Sequence, residues 1–198
     1  MSALGVRFVP SDPSAPPASG LIEAMESEML ALYGVPGSGE VTAPSGGGGH
    51  EPAPADPLSG AGHRAAGSAH LGTALEPSEL SPPRGVYLVG TVGDEVAAGG
   101  GLRTLAAGIG EIKRMYVVPR WRGRGLGAAL LAELEVHAAG VLGLRVTRLD
   151  TGPRQPGAQR MYERAGYRSI GNYNANPHAG FWGEKQLGGC GYGTGPVG

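Results

Sequence analysis

Residues 117–131 read VVPRWRGRGLGAALL, and this segment carries the strongest structural signal of the chain. An apolar run of β type ends at Pro119, a basic turn follows, and an apolar helical pattern begins near Leu126. Glycines alternate in the turn: Gly123, Gly125 and Gly127. Arginines surround them: Arg120, Arg122 and Arg124. Glycine leaves no Cβ in the way of an approaching group, and free N–H groups at a helix start favour an anion. The segment therefore predicts a cradle for a pyrophosphate.

Two common nucleotide-binding loops do not fit this segment. A Walker A loop requires Gly-Lys-Ser/Thr, and the turn contains neither lysine nor a hydroxyl residue. A dinucleotide fingerprint requires G-x-G-x-x-G, whereas the order here is G-x-G-x-G. A plain helix-capping turn with solvated arginines stays open as the alternative. Arginine beside Trp121 could also follow a nucleic-acid strand, but a net charge of −1 argues against that partner.

The bulk composition narrows the class of protein. The 198 residues suit one domain, but 38 glycines and 17 prolines indicate that part of the chain does not pack. The one cysteine, Cys190, cannot form an internal disulfide, which fits a reducing compartment. No apolar run reaches membrane-spanning length, and the N-terminus lacks the pattern of a signal peptide. We therefore expect a cytoplasmic protein without a membrane or nucleic-acid partner.

The domain is expected to form from residues 1–34 and 84–187. Between them, residues 35–83 contain no Ile, Phe, Tyr, Trp or Met, so this insertion is expected to be disordered, as is the glycine-rich tail 188–198. No metal site is expected, because three histidines fall in the insertion: His50, His63 and His70. Strands are expected at 4–9, 86–92, 96–103, 110–118, 145–150, 167–173 and 180–187, and helices at 21–33, 125–139 and 156–166.

Three motifs in one order resemble the Gcn5-related N-acetyltransferase (GNAT) family. The pattern Arg122-x-x-Gly125-x-Gly127 resembles its pyrophosphate loop. Residues 111–117, EIKRMYV, resemble its central strand, and residues 158–167, AQRMYERAGY, resemble its last helix and following strand. The resemblance implies an α/β fold with a mixed, mostly antiparallel sheet, helices on both faces and splayed central strands.

The resemblance also implies acetyl-CoA as co-substrate, bound where the central strands separate. The pantetheine arm contains two amides and can add to an open strand edge. A free N–H near Val117 could polarise the thioester carbonyl. The implied cofactor-binding residues are Met115, Tyr116, Val117, Val118, Arg122, Gly123, Arg124, Gly125, Leu126, Gly127, Gln155 and Ala158. The family often has asparagine where this chain has Gln155. The amide of the longer glutamine side chain could make the same hydrogen bond to the cofactor.

Two residues are candidates for proton transfer. Tyr162 lies mid-helix, and its sequence setting alone suits a core aromatic. The resemblance instead implies that its hydroxyl protonates the departing thiolate. Glu111 is the candidate general base, and a surface carboxylate that pairs with Lys113 or Arg103 is the equal alternative.

The leading function is an acetyl-CoA-dependent N-acetyltransferase in which a primary amine attacks the thioester directly. The alternative is a non-catalytic acyl-CoA-binding or interaction module of the same fold. The acceptor, small molecule or protein, is not specified by the sequence, and a homodimer stays open. His178 follows three asparagines, Asn172, Asn174 and Asn176, and this polar group could line an acceptor pocket or form turns.

Overall fold

The structure, a computed structural model, describes residues 5–34 and 75–188. Most of the expected insertion, with its three histidines, and most of the expected tail, with Cys190, lie outside these ranges. Within them the chain forms seven strands, three α-helices and two short 3-10 helices. The strands are β1 (Val6–Pro10), β2 (Gly85–Val92), β3 (Glu95–Ala106), β4 (Ile109–Val117), β5 (Val146–Thr151), β6 (Arg168–Ser169) and β7 (Phe181–Gln186). The helices are α1 (Ala18–Tyr33), α2 (Leu126–Gly140) and α3 (Pro156–Arg164), with 3-10 helices at Pro77–Leu80 and Pro119–Trp121.

The described strands form one mixed sheet in the order β1-β2-β3-β4-β5-β7-β6. Neighbouring strands run antiparallel except β4 and β5, which are parallel because α2 crosses from one to the other. The expected α/β fold with a mostly antiparallel sheet is therefore confirmed.

The central strands separate after three paired residues. Residues 109–111 of β4 pair with residues 146–148 of β5, and the two strands show no further pairing within the described residues. The rest of β4 stays in the sheet through its other edge, where Tyr116 lies opposite Gly99 of β3. The edge of β4 that faces β5 is therefore open from Ile112 onward, and the expected splay is confirmed.

Helices cover both faces of the sheet. Val86 and Leu88 pack with α2 and α3 on one face, and Tyr87 packs with α1 on the other, because alternate residues of a strand point in opposite directions. The apolar stripe of α2 is buried: Leu126, Leu130, Leu131, Leu134 and Ala138. Glycines in β3 allow this close approach, since a Cβ at Gly99 would crowd Leu21 of α1.

Several expected boundaries shift by one to three residues, such as the start of α1 at Ala18, and two segments differ more clearly. The end of the expected insertion is ordered: Pro77–Leu80 forms a 3-10 helix, and Leu80, 1% exposed, packs with the α1 side of the sheet. The strand expected at residues 167–173 shortens to Arg168–Ser169, because the asparagine-rich chain beyond it forms turns. Among the helices that the structure describes, none has the length and apolar character to cross a membrane.

Candidate active site

A cavity of about 1,020 Å³ opens where β4 and β5 separate. It is bounded by α1, the second half of β4, the glycine loop, the starts of α2 and α3, and the end of β5. Tyr162 and the predicted cofactor-binding residues line it, with the exceptions of Val118 and Arg124. Glu111 does not line it either. One site thus brings together most of the residues that the sequence singled out.

The glycine loop leaves the start of α2 open. Gly123 and Gly125 have φ angles of 72° and 84°, a region that glycine adopts without strain. Gly125 precedes α2 directly, and no described side chain caps the helix there. The first backbone bond of the helix runs from the Ala129 N–H to the Gly125 carbonyl, so the N–H groups before it lack a helical acceptor. This arrangement suits an anion.

The third loop glycine has a different role. A Cβ at Gly127 would lie 3.0 Å from the sulfur of Met161 and 3.8 Å from Val117. At Gly125, by contrast, a Cβ would meet no described atom within 4 Å. Gly127 therefore lets α2 approach α3, whereas Gly125 keeps the loop open towards the cavity.

The loop arginines already have partners. Arg122 donates from Nε to the Val117 carbonyl at 2.9 Å, and its Nη2 lies 2.6 Å from a carboxylate oxygen of Glu28 on α1. Its guanidinium also lies over the ring of Tyr116, 5.4 Å from the centroid. Arg124 lies over the ring of Trp121 at 5.1 Å. Arg122 thus lines the cavity, and Arg124 does not.

Val118, the other predicted residue outside the cavity lining, is hydrogen-bonded to strand β3. Its N–H donates to the Ala97 carbonyl at 2.9 Å, and its side chain packs with the α1-side cluster. Its backbone donor is therefore already used and does not face a ligand.

Tyr162 is both a core residue and a cavity residue. It is 7% exposed, and its ring packs edge-on against Tyr167 with 6.0 Å between centroids. Its hydroxyl lies 3.8 Å from the sulfur of Met115, on the open part of β4. Burial raises the pKa of the Tyr162 hydroxyl, and the negative charge of Asp150 raises it further. The phenol is therefore neutral near pH 7 and can donate a proton.

Gln155 and Ala158 lie at the start of α3, as the family resemblance implies. The Gln155 amide oxygen accepts bonds from the Thr151 hydroxyl at 2.9 Å and the Gly152 N–H at 3.1 Å, and its nitrogen donates to the sulfur of Met29. An amide nitrogen carries two N–H groups, so one donor is left for a ligand.

The prediction of Glu111 as general base does not agree with its surroundings. The side chain is fully buried and accepts bonds from Arg103, Lys113, Tyr173 and Asn174. The pairing expected as the alternative is present, with both Lys113 and Arg103, although the carboxylate is buried rather than at the surface. The sequence could not show this, because three of its four partners come from other strands or loops.

Asp150, which the sequence analysis did not single out, lies in the cavity wall at the end of β5. Its side chain is 6% exposed, and one carboxylate oxygen lies 2.5 Å from Nζ of Lys113. Asn174 and Asn176 donate to it at 3.1 and 2.5 Å. Its position as an acid at the end of the strand bordering the gap is the signal that could have identified it.

The asparagine-rich loop forms turns, one of the two alternatives that the sequence left open, and it also reaches the cavity. Its side-chain oxygens accept backbone N–H bonds two residues ahead, from Asn172 through Asn174 and Asn176 to His178. These are turn contacts. Asn176 and His178 also line the cavity. In residues 5–34 and 75–188, no three His, Cys, Asp or Glu side chains come together as a metal site would require.

One family model and several solved structures are similar to this chain. The model of the "Acetyltransferase (GNAT) family" matches residues 60–167. Among solved structures, the chain is similar to a Klebsiella pneumoniae protein assigned as an acyl-CoA N-acyltransferase, with 23% identity, a TM-score of 0.63 and coverage of 93% of this chain and 99% of that one. It is also similar to a protein from Desulfovibrio desulfuricans assigned as a GNAT acetyltransferase, with 16% identity, a TM-score of 0.56 and coverage of 93% and 100%. At these identities both likenesses concern the fold. Comparison with curated protein sequences gives no significant match.

Proposed function

The chain belongs to the acetyltransferase (GNAT) family, and on that premise we propose that it transfers an acetyl group from acetyl-CoA to a primary amine. One observation carries the proposal. The open edge of β4, the uncapped start of α2 and the Tyr162 hydroxyl all belong to the same cavity. Acetyl-CoA is a thioester on an amide-containing arm that ends in a pyrophosphate, and each part finds a matching feature there.

The open edge of β4 supports binding of the pantetheine arm. Its backbone N–H and C=O groups beyond Ile112 lack a partner strand on the β5 side, so an amide-bearing arm can pair with them as a strand would. The Val117 carbonyl already accepts a hydrogen bond from the Arg122 side chain. The backbone N–H groups on this edge are therefore the main groups left to bind a ligand near Val117. Such a donor, aimed at the thioester carbonyl, would stabilise the negative charge that develops on its oxygen.

The start of α2 supports binding of the pyrophosphate. Its free N–H groups and the positive end of the helix dipole favour negative charge. Arg122 adds a cation at the same place, and an incoming phosphate would compete with Glu28 for it. The pair is partly exposed, so the exchange costs little.

The chemistry proposed for the site is direct transfer. The amine nitrogen attacks the thioester carbon, a C–N bond forms and the C–S bond breaks. Tyr162 gives its hydroxyl proton to the departing sulfur as the C–S bond breaks. Its raised pKa makes it a weaker acid than a free tyrosine, so its contribution depends on its position in the cavity. Nitrogen releases one proton as the amide forms, and water returns a proton to Tyr162. No covalent bond to the protein is needed.

The test measures acetyl-CoA binding by calorimetry and free-thiol release against a panel of primary amines, with mass analysis of the amine product. The expected result is saturable binding and release of one thiol for each acetylated amine. Binding without thiol release for any amine would instead support a non-catalytic acyl-CoA-binding module. A cytoplasmic location belongs to the proposal and is supported by the single cysteine of the sequence.

A further inference from the structure

A row of alternating charges runs through the protein and ends at the cavity. It consists of Glu79, Arg103, Glu111, Lys113 and Asp150, and we call it the charge row. Arg103 lies 2.7 Å from both Glu79 and Glu111. Lys113 lies 3.1 Å from Glu111 and 2.5 Å from Asp150.

Within the charge row, negative charge is least compensated at Asp150. The row holds three carboxylates and two cations, and the charge of Arg84 acts on Glu79 at the opposite end. Its Glu79 end reaches the surface, where that side chain is 22% exposed and solvent can screen it. At the other end, Asp150 is 6% exposed and shares its only described cation with Glu111. Asp150 is poorly solvated and shares Lys113 with Glu111, so its carboxylate attracts a further positive charge.

The two inner carboxylates differ in what they can still bind. Oxygens of an ionised carboxylate offer about four lone-pair sites. Glu111 accepts bonds from Arg103 twice and from Lys113, Tyr173 and Asn174, so it is saturated. Asp150 accepts three, from Lys113, Asn174 and Asn176, and therefore has capacity for one more donor.

Asp150 lies in the cavity where the proposed reaction takes place. Asp150 and Tyr162 line the same cavity, and the charge of Asp150 is felt at the Tyr162 hydroxyl. The other charged or titratable groups on the β4, β5 and α3 sides of the cavity are Lys113, Arg154, Arg164 and His178. Arg154 donates to the Leu32 carbonyl of α1 at 2.6 Å. On the α1 side, the cavity-lining acids Glu26 and Glu28 pair with Arg114 and Arg122.

We propose that Asp150 accepts a hydrogen bond from the attacking nitrogen of the acceptor amine and receives the proton that nitrogen releases. This proposal rests on the proposed function. As the C–N bond forms, nitrogen becomes positive, and the carboxylate of Asp150, which is 6% exposed, stabilises that charge. The proton then passes from nitrogen to Asp150 and on to water, while sulfur takes its proton from Tyr162. The charge row holds the carboxylate in place, and Asn174 and Asn176 fix its orientation.

The experiment compares Asp150→Asn with the wild type and with Asp94→Asn, an exposed residue of the β2–β3 turn, after the panel has supplied a working amine. Asparagine keeps the size of the side chain and removes its charge. We expect kcat for the amine to fall by about 100-fold or more. The acetyl-CoA Kd should change little, and Asp94→Asn should behave as wild type. The melting temperature should fall, because Lys113 loses a buried partner, so kcat is measured below the unfolding transition.

The outcomes distinguish failure of the Asp150 proposal from failure of the proposed acetyltransferase function. A kcat for Asp150→Asn within about threefold of wild type overturns the role of Asp150 and leaves the acetyltransferase proposal standing. A fall in kcat that is matched by loss of acetyl-CoA binding shows a structural role and also overturns it. Absence of thiol release by the wild type with every amine overturns the proposed function, and the role of Asp150 with it.

Discussion

The hydroxyl oxygen of Tyr162 lies 3.8 Å from the sulfur of Met115, across the space between α3 and the open part of β4. The ring of Tyr162 is part of the hydrophobic core, whereas its hydroxyl lies at the cavity. The ring keeps its packing against Tyr167, so the hydroxyl is held in place without a strong hydrogen bond to a described protein group. A proton donor held in this way can serve a ligand in the gap.

Replacing Tyr162 by phenylalanine should lower kcat while acetyl-CoA binds as before, because only the hydroxyl is lost. General-acid assistance is typically worth about 10²–10⁴-fold, and thiolate leaves readily, so we expect the low end of that range or less. Thiol release and calorimetry measure the two quantities. Tyr167→Phe is the matched control, since its hydroxyl bonds Thr147 at 2.8 Å and its loss should affect stability rather than kcat. Equal kcat for Tyr162→Phe and wild type, where chemistry limits the rate, would make Tyr162 a core aromatic only.

Replacing Gly125 by alanine should weaken acetyl-CoA binding by about tenfold or more, equivalent to about 1.4 kcal/mol. A Cβ there meets no described atom but enters the open loop, and its φ of 84° strains any other residue. Gly143→Ala is the control. Gly143 also has a positive φ, 63°, with no atom within 4 Å of its Cβ, and it does not line the cavity.

Both alanine variants should lose similar stability, about 1–2 kcal/mol from the backbone conformation. Only the Gly125 variant should lose cofactor affinity. Equal losses of affinity in the two variants would show that strain, and not the loop, accounts for the effect.

Glu28→Gln should tighten acetyl-CoA binding modestly, because it frees Arg122 from its partner on α1. Partly exposed pairs contribute about 0–1 kcal/mol, so the gain should not exceed about fivefold. Glu95→Gln breaks the comparable Arg120 pair outside the cavity and should leave the Kd unchanged. Weaker binding by the Glu28 variant would mean that Glu28 supports the cofactor site instead of competing for it.

Stability should fall steeply in alkaline solution. Burial raises the pKa of Tyr87, Tyr162 and Tyr167 in the folded protein, whereas an unfolded tyrosine has a pKa of about 10. The contribution of each raised pKa is fully present below pH ~10 and is lost as the pH rises through the folded value. Above pH ~10, each buried phenol should lower the free energy of unfolding by about 1.4 kcal/mol per pH unit. Urea unfolding across this range measures the slope, and a flat profile would contradict the burial of these hydroxyls.

The sequence predicted the parts of the site that are local in the chain. Alternating glycines impose the loop conformation within a few residues, and the spacing around Tyr162 places it on α3, so both could be identified before the fold was known. For Glu111 the sequence offered pairing with Arg103 or Lys113 as an alternative, but it could not show the burial of the carboxylate or its bonds from Tyr173 and Asn174 of a distant loop.

The roles of other residues also depend on long-range packing. The position of Asp150 at the end of β5 could be read from the sequence, but its contacts with Lys113, Asn174 and Asn176 depend on packing between distant segments. Leu80 sits in a segment of low apolar content, yet it is buried beside the sheet, and the 3-10 helix that carries it also has a Glu76–Glu79 capping box and the Glu79–Arg103 ion pair. The strand after Tyr167 ends early because the chain beyond it turns: the side-chain oxygens of Asn172 and Asn174 accept the N–H groups of Asn174 and Asn176.

The central claim, that this cavity is the acetyl-CoA site, is tested most directly by following the backbone amide signals of Val117, Leu126, Gly127 and Ala128 in an NMR titration. Acetyl-CoA should shift all four in a saturable way. Acetylpantetheine, which lacks the pyrophosphate, should shift Val117 and leave the three amides at the start of α2 unchanged. Saturation with acetyl-CoA that leaves those three amides unmoved, or that shifts residues beside Tyr87 and Ser81 instead, would contradict the account.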